Sequence, residues 1–221
     1  MRVYVYIDGF NLYYGAVDGT NLKWLDLVAV CRRLLPNDTI ERVHYCTALT
    51  KDPSHDQTKS VRQQTFIRAL ETFPEIQVTY GSFLASKKKM PLAAGNPAEV
   101  ADPAIVTLVT GGPKSAVVTR TEEKGSDVNL ATLMVADAFR GDFEAAVVLS
   151  TDSDLALPIK LIRAELSLPV GVIFPQGRFS VELDAAASFR RTLRRSDLRA
   201  CQLPARLTDA NGVIRKPARW A

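Results

Sequence analysis

Histidine and cysteine are scarce in this 221-residue chain: His44 and His55 are the only histidines, and Cys31, Cys46 and Cys201 the only cysteines. The cysteines are odd in number, far apart and without a C-x-x-C pair, which excludes a zinc ribbon and a disulfide framework. They read as small buried hydrophobes. Two isolated histidines are too few for a zinc site, so each has a structural or surface role. No run of apolar residues approaches the length of a membrane-spanning helix, so no membrane contact is expected. From Met1 the chain runs straight into Arg2-Val3-Tyr4-Val5-Tyr6-Ile7, an alternating strand without the n-region or cleavage site of a signal peptide. A cytoplasmic protein follows, in which the sequon Asn37-Asp38-Thr39 carries no meaning. A G-x-S-x-G elbow is also missing, which removes support for a serine hydrolase. Gly112-Pro113-Lys114-Ser115 lacks the glycine spacing of a phosphate-binding loop and leads into a strand.

What is present is an ordinary globular composition, 47% hydrophobic and 24% charged, in a length suited to one α/β domain. Strands are expected at Arg2–Ile7, Arg42–Ala48, Ile76–Leu84, Phe143–Ser150 and Val170–Phe174, and helices at Asp26–Leu35, Asp56–Thr72, Asp127–Phe139, Leu155–Glu165 and Ser180–Leu193. The run Ala145-Ala146-Val147-Val148-Leu149 is apolar on both strand faces, which argues for a sheet covered by helices on both sides. Ser86–Pro103 reads as irregular. Ala104–Thr110 and Ser115–Arg120, around Gly111-Gly112-Pro113, read as a β-hairpin insertion near residues 104–120. The domain is expected over residues 1–204, with 205–221 a basic C-terminal tail. Arg190–Ala221 holds nine of the 28 basic residues and two of the 24 acidic ones, so this segment is near +7 and the body near −3. A cationic end on an acidic body suits a polyanion-binding protein, and a solvated terminus reads equally well.

Three short blocks place aspartates at element ends. Asp8 closes the first strand, Asp127 opens a helix after Lys124-Gly125-Ser126, and Asp152 with Asp154 follows the strand Phe143–Ser150. Each has a plain structural alternative: Asp127 as a helix cap beside Ser126, Asp152 or Asp154 as the cap of the helix near Leu155, Asp8 as a turn residue before Gly9. Together they are harder to dismiss, because open parallel sheets bind ligands beyond the carboxyl ends of their strands. Gathered carboxylates repel by about 4 kcal/mol per pair at 4 Å, so they require a cation. All-oxygen ligands suit Mg²⁺ or Mn²⁺, and magnesium sites of this kind take substrate phosphates.

Tyr6-Ile7-Asp8-Gly9-Phe10-Asn11-Leu12, Glu123-Lys124-Gly125-Ser126-Asp127-Val128-Asn129-Leu130 and Leu149-Ser150-Thr151-Asp152-Ser153-Asp154-Leu155 resemble, in order, the signature blocks of the NYN family. That family is a branch of the PIN-like nucleases and includes the LabA-like proteins. Ser196–Pro204 is similar to the family's usual end. The resemblance implies a Rossmann-like three-layer sandwich with a mainly parallel central sheet, and metal-dependent hydrolysis of RNA, single-stranded rather than duplex. It implies Asp8 and Asp152 on a main Mg²⁺ or Mn²⁺, with Asp127 and Asp154 on a second ion or its waters. Asn11 is implied as a partner of Asp8 or of metal-bound water, and Ser150 and Ser153 as hydroxyls at the site. Lys124 could contact a phosphate, and a solvated loop residue is its equal alternative. A homo-oligomer is left open.

Two alternatives stand beside this reading. One is an RNA-binding regulator of the same fold with little or no catalysis. The other is a phosphatase with Asp8 as nucleophile, although Phe10 stands where such enzymes carry a second aspartate. Lys87-Lys88-Lys89, Lys51, Lys59, Arg62 and Arg68 could line an RNA path, and Tyr13 and Tyr14 could stack on bases; solvated charge and core packing are the plain alternatives.

Overall fold

A computed structural model of the chain describes residues 1–50, 56–91 and 115–220. Its centre is a six-stranded sheet built from β1 (Arg2–Asp8), β2 (Thr39–Thr47), β3 (Ile76–Tyr80), β6 (Ala145–Leu149), β7 (Val170–Pro175) and β8 (Phe189–Leu193). The spatial order is β3-β2-β1-β6-β7-β8, and every neighbouring pair is parallel. The order reverses between β1 and β6, the topological switch point of a doubly wound sheet. β4 (Ser82–Pro91) and β5 (Ser115–Lys124) form a separate two-stranded ribbon.

Alternation along β1 sends side chains to two different layers. Val3, Val5 and Ile7 join one core with α2 (Leu27–Leu34) and α3 (Lys59–Leu70), where Trp24, Val30, Ile67 and Leu70 are buried. Tyr6 points into the other core, with Leu130 and Met134 of α4 (Ser126–Arg140), Ile159 and Ile162 of α5 (Ala156–Leu166) and Leu183 of α6 (Val181–Ala186). β6 divides in the same way, Val147 and Leu149 to the first layer and Ala146 and Val148 to the second. These two faces explain its unbroken apolar run. All three cysteines are free and buried.

Three expectations change. The helix read over Ser180–Leu193 is the short α6 followed by the edge strand β8, because pairing with β7 overrides local helical spacing. The strand read over Ile76–Leu84 breaks at Gly81, between β3 and β4. Residues 86–91, read as irregular, belong to β4. Exposure of Lys87, Lys88 and Lys89 removed the alternation that marks a half-buried strand. β5 takes up Ser115–Arg120 and pairs with β4. The rest of the hairpin reading, Ala104–Thr110 and its glycine turn, lies outside the described residues, as do Lys51 and His55.

The chain divides into two compact units, Phe83–Glu123 and the remainder. Within the smaller one Lys88 Nζ lies 3.3 Å from Glu122 Oε1. In the larger one Gly125, at a left-handed φ of 95°, precedes α4; a Cβ built on it would lie 3.9 Å from Gly81 Cα. The chain thus leaves the sheet at one glycine and returns beside it at another. Beyond Pro204 the chain is ordered: β9 (Arg206–Asp209) and β10 (Gly212–Arg215) form an antiparallel hairpin, and a final 3₁₀ turn, Ala218–Trp220, buries Trp220. Arg68 holds this hairpin through Asp209, at 2.6 Å and 2.5 Å.

Candidate active site

Asp8 is the last residue of β1 and the N-cap of α1 (Gly9–Leu12). The residue is 2% exposed, and its side chain accepts four hydrogen bonds. Oδ1 receives Phe10 N at 3.0 Å and Asn11 N at 2.9 Å; Oδ2 receives Asn11 Nδ2 and, at 3.1 Å, Ser150 Oγ. Burial pushes the Asp8 carboxyl above its ordinary range, and the donors from Asn11, Ser150 and Phe10 oppose that rise. The next residue has to be glycine. A Cβ on Gly9 would stand 2.9 Å from Cys46 O and from the Tyr45 ring of neighbouring β2.

Asn11 joins the two strands of the switch point. While its Nδ2 donates to Asp8, its Oδ1 accepts Thr151 N at 3.1 Å and Thr151 Oγ1 at 2.5 Å. Fully buried Ser150, at the end of β6, donates to Asp8 and accepts from Asp152 N at 3.1 Å. Asp152 caps the 3₁₀ turn Ser153–Leu155, its Oδ1 receiving Asp154 N at 3.0 Å. Asp152 thus caps the 3₁₀ turn that leads into α5, while the helix itself starts from Leu155 without a side-chain cap. Asp152 is half-buried, and Ser153 and Asp154 are exposed. The second oxygen of Asp152 and both oxygens of Asp154 accept no hydrogen bond among the described residues.

Asp127 sits in the first turn of α4, whose N-cap is Gly125, so it is not the cap. A carboxylate there is favoured by the helix dipole. Its charge and that of Asp8 both act on Cys46, whose thiol burial first, and then these two carboxylates, push up to about 12. Lys124 is exposed at the end of β5.

Direct hydrogen bonds thus join Asp8, Asn11, Ser150 and Thr151. Asp152 and Asp154 follow in the same chain of contacts, and Asp127 approaches through Cys46. Among the described residues no three His, Cys, Asp or Glu side chains stand close enough to enclose a metal ion. The donor chemistry nevertheless fits a hard cation. Magnesium is held by one or two carboxylates and completes its shell with water and substrate oxygen, so a three-carboxylate cage is not required. The residues that would hold it are the aspartates with open oxygens, Asp152 and Asp154, beside Asp8 and Asp127. Thr151 and Gly9 were passed over in the sequence as site residues, although both lie inside the quoted blocks.

Three comparisons bear on this arrangement. The family model for the NYN domain matches residues 2–193. A curated protein from Pseudomonas putida, 6-hydroxy-3-succinoylpyridine 3-monooxygenase HspA, is 28% identical over 245 residues, covering 100% of this chain and 75% of that protein. A crystal structure of a protein of unknown function from Vibrio parahaemolyticus superposes with a TM-score of 0.55 at 14% identity, over 91% of this chain and 96% of the other, and supports the fold alone.

Proposed function

The chain belongs to the NYN domain family, a nuclease-like family, and from that premise we propose that it is a metal-dependent ribonuclease that hydrolyses phosphodiester bonds of single-stranded RNA at Asp8, Asp127, Asp152 and Asp154. The observation that carries this reading is the meeting of β1 and β6. The strands on either side of the switch point end in Asp8 and in Ser150–Asp154, and one asparagine ties the two ends together. When bound, Mg²⁺ or Mn²⁺ supplies Lewis-acid neutralisation of charge growing on the phosphate. The protein's own groups set the stage. Two backbone amides, Asn11 and Ser150 fix the Asp8 carboxylate in one orientation without a mobile linkage. Asp154 faces solvent, where an RNA backbone arrives, and half-buried Asp152 stands beside it. Lys124 meets a neighbouring phosphate, and Ser153 lies on the same exposed turn. Residues 1–204 carry the proposed chemistry, the basic segment that follows packs into their core through Ile214 and Trp220, and the cytoplasm is the place of action. Among the described residues no helix is long and apolar enough to cross a membrane.

The test is cleavage of an end-labelled single-stranded RNA with Mn²⁺ by the protein and by Asp154→Asn, an exposed change that leaves the buried bonds of Asp8 intact. The proposal expects metal-dependent products from the parent and a fall of at least roughly 100-fold in the variant, the scale on which loss of a transition-state charge contact acts. Equal cleavage by both refutes the assignment. Tight RNA binding in a gel shift with no turnover in any divalent metal favours the regulator instead.

The likeness to HspA across the whole chain favours a second reading, hydroxylation of a small heteroaromatic acid. One atom of dioxygen would be transferred to the substrate and the other leave as water, with two electrons and two protons from a soluble reductant. Substrate-dependent oxidation of reduced nicotinamide cofactor, with one equivalent of hydroxylated product, supports it; its absence removes it.

A further inference from the structure

A cavity of about 490 Å³ opens beside the candidate site, on the α1 side of β1 and β2, and it gathers into one space Tyr13, Tyr14, Lys59 and Arg62, which the sequence offered separately as stacking and RNA-path residues. Two aromatic walls face it. One is local: after α1 the chain makes a single π-helical turn, Tyr13–Val17, a form of backbone often met at functional positions. There Tyr13 and Tyr14 pack edge to face at 5.0 Å, and Phe10 stacks on Tyr14 at 6.4 Å and 15°. The other wall gathers distant parts of the chain. Tyr45 of β2 meets Phe66 of α3 edge-on at 6.3 Å, and Phe66 meets Trp220 of the C-terminal turn at 6.2 Å.

The charge on the cavity is positive. Four cations line it, Lys23, Lys59, Arg62 and Arg219, against two carboxylates, Asp18 and Asp56, a balance of +2. Three of the four are engaged. Asp56 bridges Arg62, at 3.0 Å, and Arg219, at 3.0 Å, which locks the last turn of the chain over the start of α3. Lys23 Nζ reaches Tyr13 Oη at 3.2 Å and Asp18 at 3.5 Å. Lys59 makes no ion pair among the described residues, and it is half-buried in the lining.

Aromatic side chains in the lining offer stacking surface to a flat ring, since base and heteroaromatic rings stack on aromatic side chains regardless of identity. A volume of this size lies in the range of small-ligand pockets. Net positive charge, with one lysine in no ion pair among the described residues, asks for an anionic substituent. We propose that this cavity binds one planar heteroaromatic ring carrying a negatively charged group, the ring between the Tyr13 and Phe66 walls and the charge toward Lys59. That chemistry has two sources, a nucleotide of an RNA strand or a free heteroaromatic carboxylate. The inference rests on neither functional reading above.

Binding is measured by quenching of tryptophan fluorescence in the full chain without divalent metal, so that failure of cleavage leaves the result untouched. The probes are uridine 5′-monophosphate, a short single-stranded RNA, pyridine-3-carboxylate, pyridine and cyclohexanecarboxylate. Saturable quenching is expected from the nucleotide and RNA, or from the pyridine carboxylate, and whichever binds identifies the source. Pyridine, without charge, and cyclohexanecarboxylate, without a flat ring, bind at least roughly fivefold more weakly, one ion pair or one stacking contact being lost. Lys59→Met weakens the charged ring by roughly fivefold and leaves pyridine unchanged, while its circular dichroism matches the parent. Tyr14→Ala, at a residue 54% exposed, weakens every ring without unfolding the chain. The proposal is overturned if no ring compound saturates, if cyclohexanecarboxylate equals the pyridine carboxylate, or if both variants bind as the parent does.

Discussion

Replacing Asn11 by alanine removes the side chain that spans the switch point, and its cost can be worked from the bonds it makes. Nδ2 donates to the Asp8 carboxylate, and Oδ1 takes two bonds from Thr151. A hydrogen bond to a charged group contributes about 1.5–3 kcal/mol and a neutral one about 0.5–1.5 kcal/mol. Asn11 is only half-buried, so water recovers part of the Thr151 contribution. The expected loss is therefore about 2–4 kcal/mol. In a chain of this length it lowers Tm by roughly 5–15 °C. Urea unfolding followed by circular dichroism should show a lower midpoint with an unchanged slope. Thr151→Val, which keeps the amide bond, should cost about 1 kcal/mol, and the double variant should show coupling of at least about 0.5 kcal/mol. The pH dependence carries the sign. Asp8 is already raised above its ordinary value, so folded protein holds its proton where unfolded protein has lost it, and this group's contribution to stability declines as pH rises through that window. Asn11→Ala removes a donor to the charged form, raises Asp8 further and widens the window. Its cost should be larger near about pH 7 than near about pH 4. A loss below about 0.5 kcal/mol, strict additivity with Thr151→Val, or the opposite pH trend would refute the bridging role.

Three further outcomes follow from other parts of the fold. His44 is buried against Tyr6, with rings 4.9 Å apart, and Nε2 is 3.1 Å from Asp137; burial holds its pKa below the ordinary 6.5 despite that carboxylate. The unfolded chain takes the proton first, so the contribution of His44 is full above pH 6.5 and falls below it by up to about 1.4 kcal/mol per pH unit, and His44→Gln should flatten that slope in acid unfolding curves. Gly171 lies under Phe189, and a Cβ there would stand 2.3 Å from the ring. Gly171→Ala should cost about 1–3 kcal/mol in urea unfolding, recovered in part by Phe189→Leu. Ending the chain after Pro204 removes Ile214 and Trp220, 2% and 9% exposed, from the core beside Trp24 and Phe66. A loss of about 3–5 kcal/mol is expected, and an unchanged melting curve would show the hairpin to be idle.

The sequence was informative where chemistry and local pattern coincide. Asp8, Asp127 and the Ser150–Asp154 turn were legible because each falls where a strand ends or a helix starts, and the apolar run of β6 announced a sheet covered on both faces. It was misleading where tertiary pairing decides. Residues 189–193 form a strand because β7 offers an edge and Gly171 a seat for Phe189. The exposed lysines of β4 look like loop because a solvated ribbon has no inward face to mark. The cavity was illegible for another reason. Tyr13, Tyr45, Phe66 and Trp220 are spread over nearly the whole chain, and only folding makes them neighbours. The same holds for the basic end, whose Arg219 and Asp209 are tied into the body rather than held in solvent.

The glycine pair at which the Phe83–Glu123 unit departs and rejoins has an evolutionary corollary. Gly81 and Gly125 nearly touch, so the sheet sees the same two anchor points whether forty residues hang between them or four. A segment attached in this way can lengthen, shorten or be exchanged without disturbing strand register or the aspartate edge. A chain that keeps the same sheet is thus free to vary in this appendage.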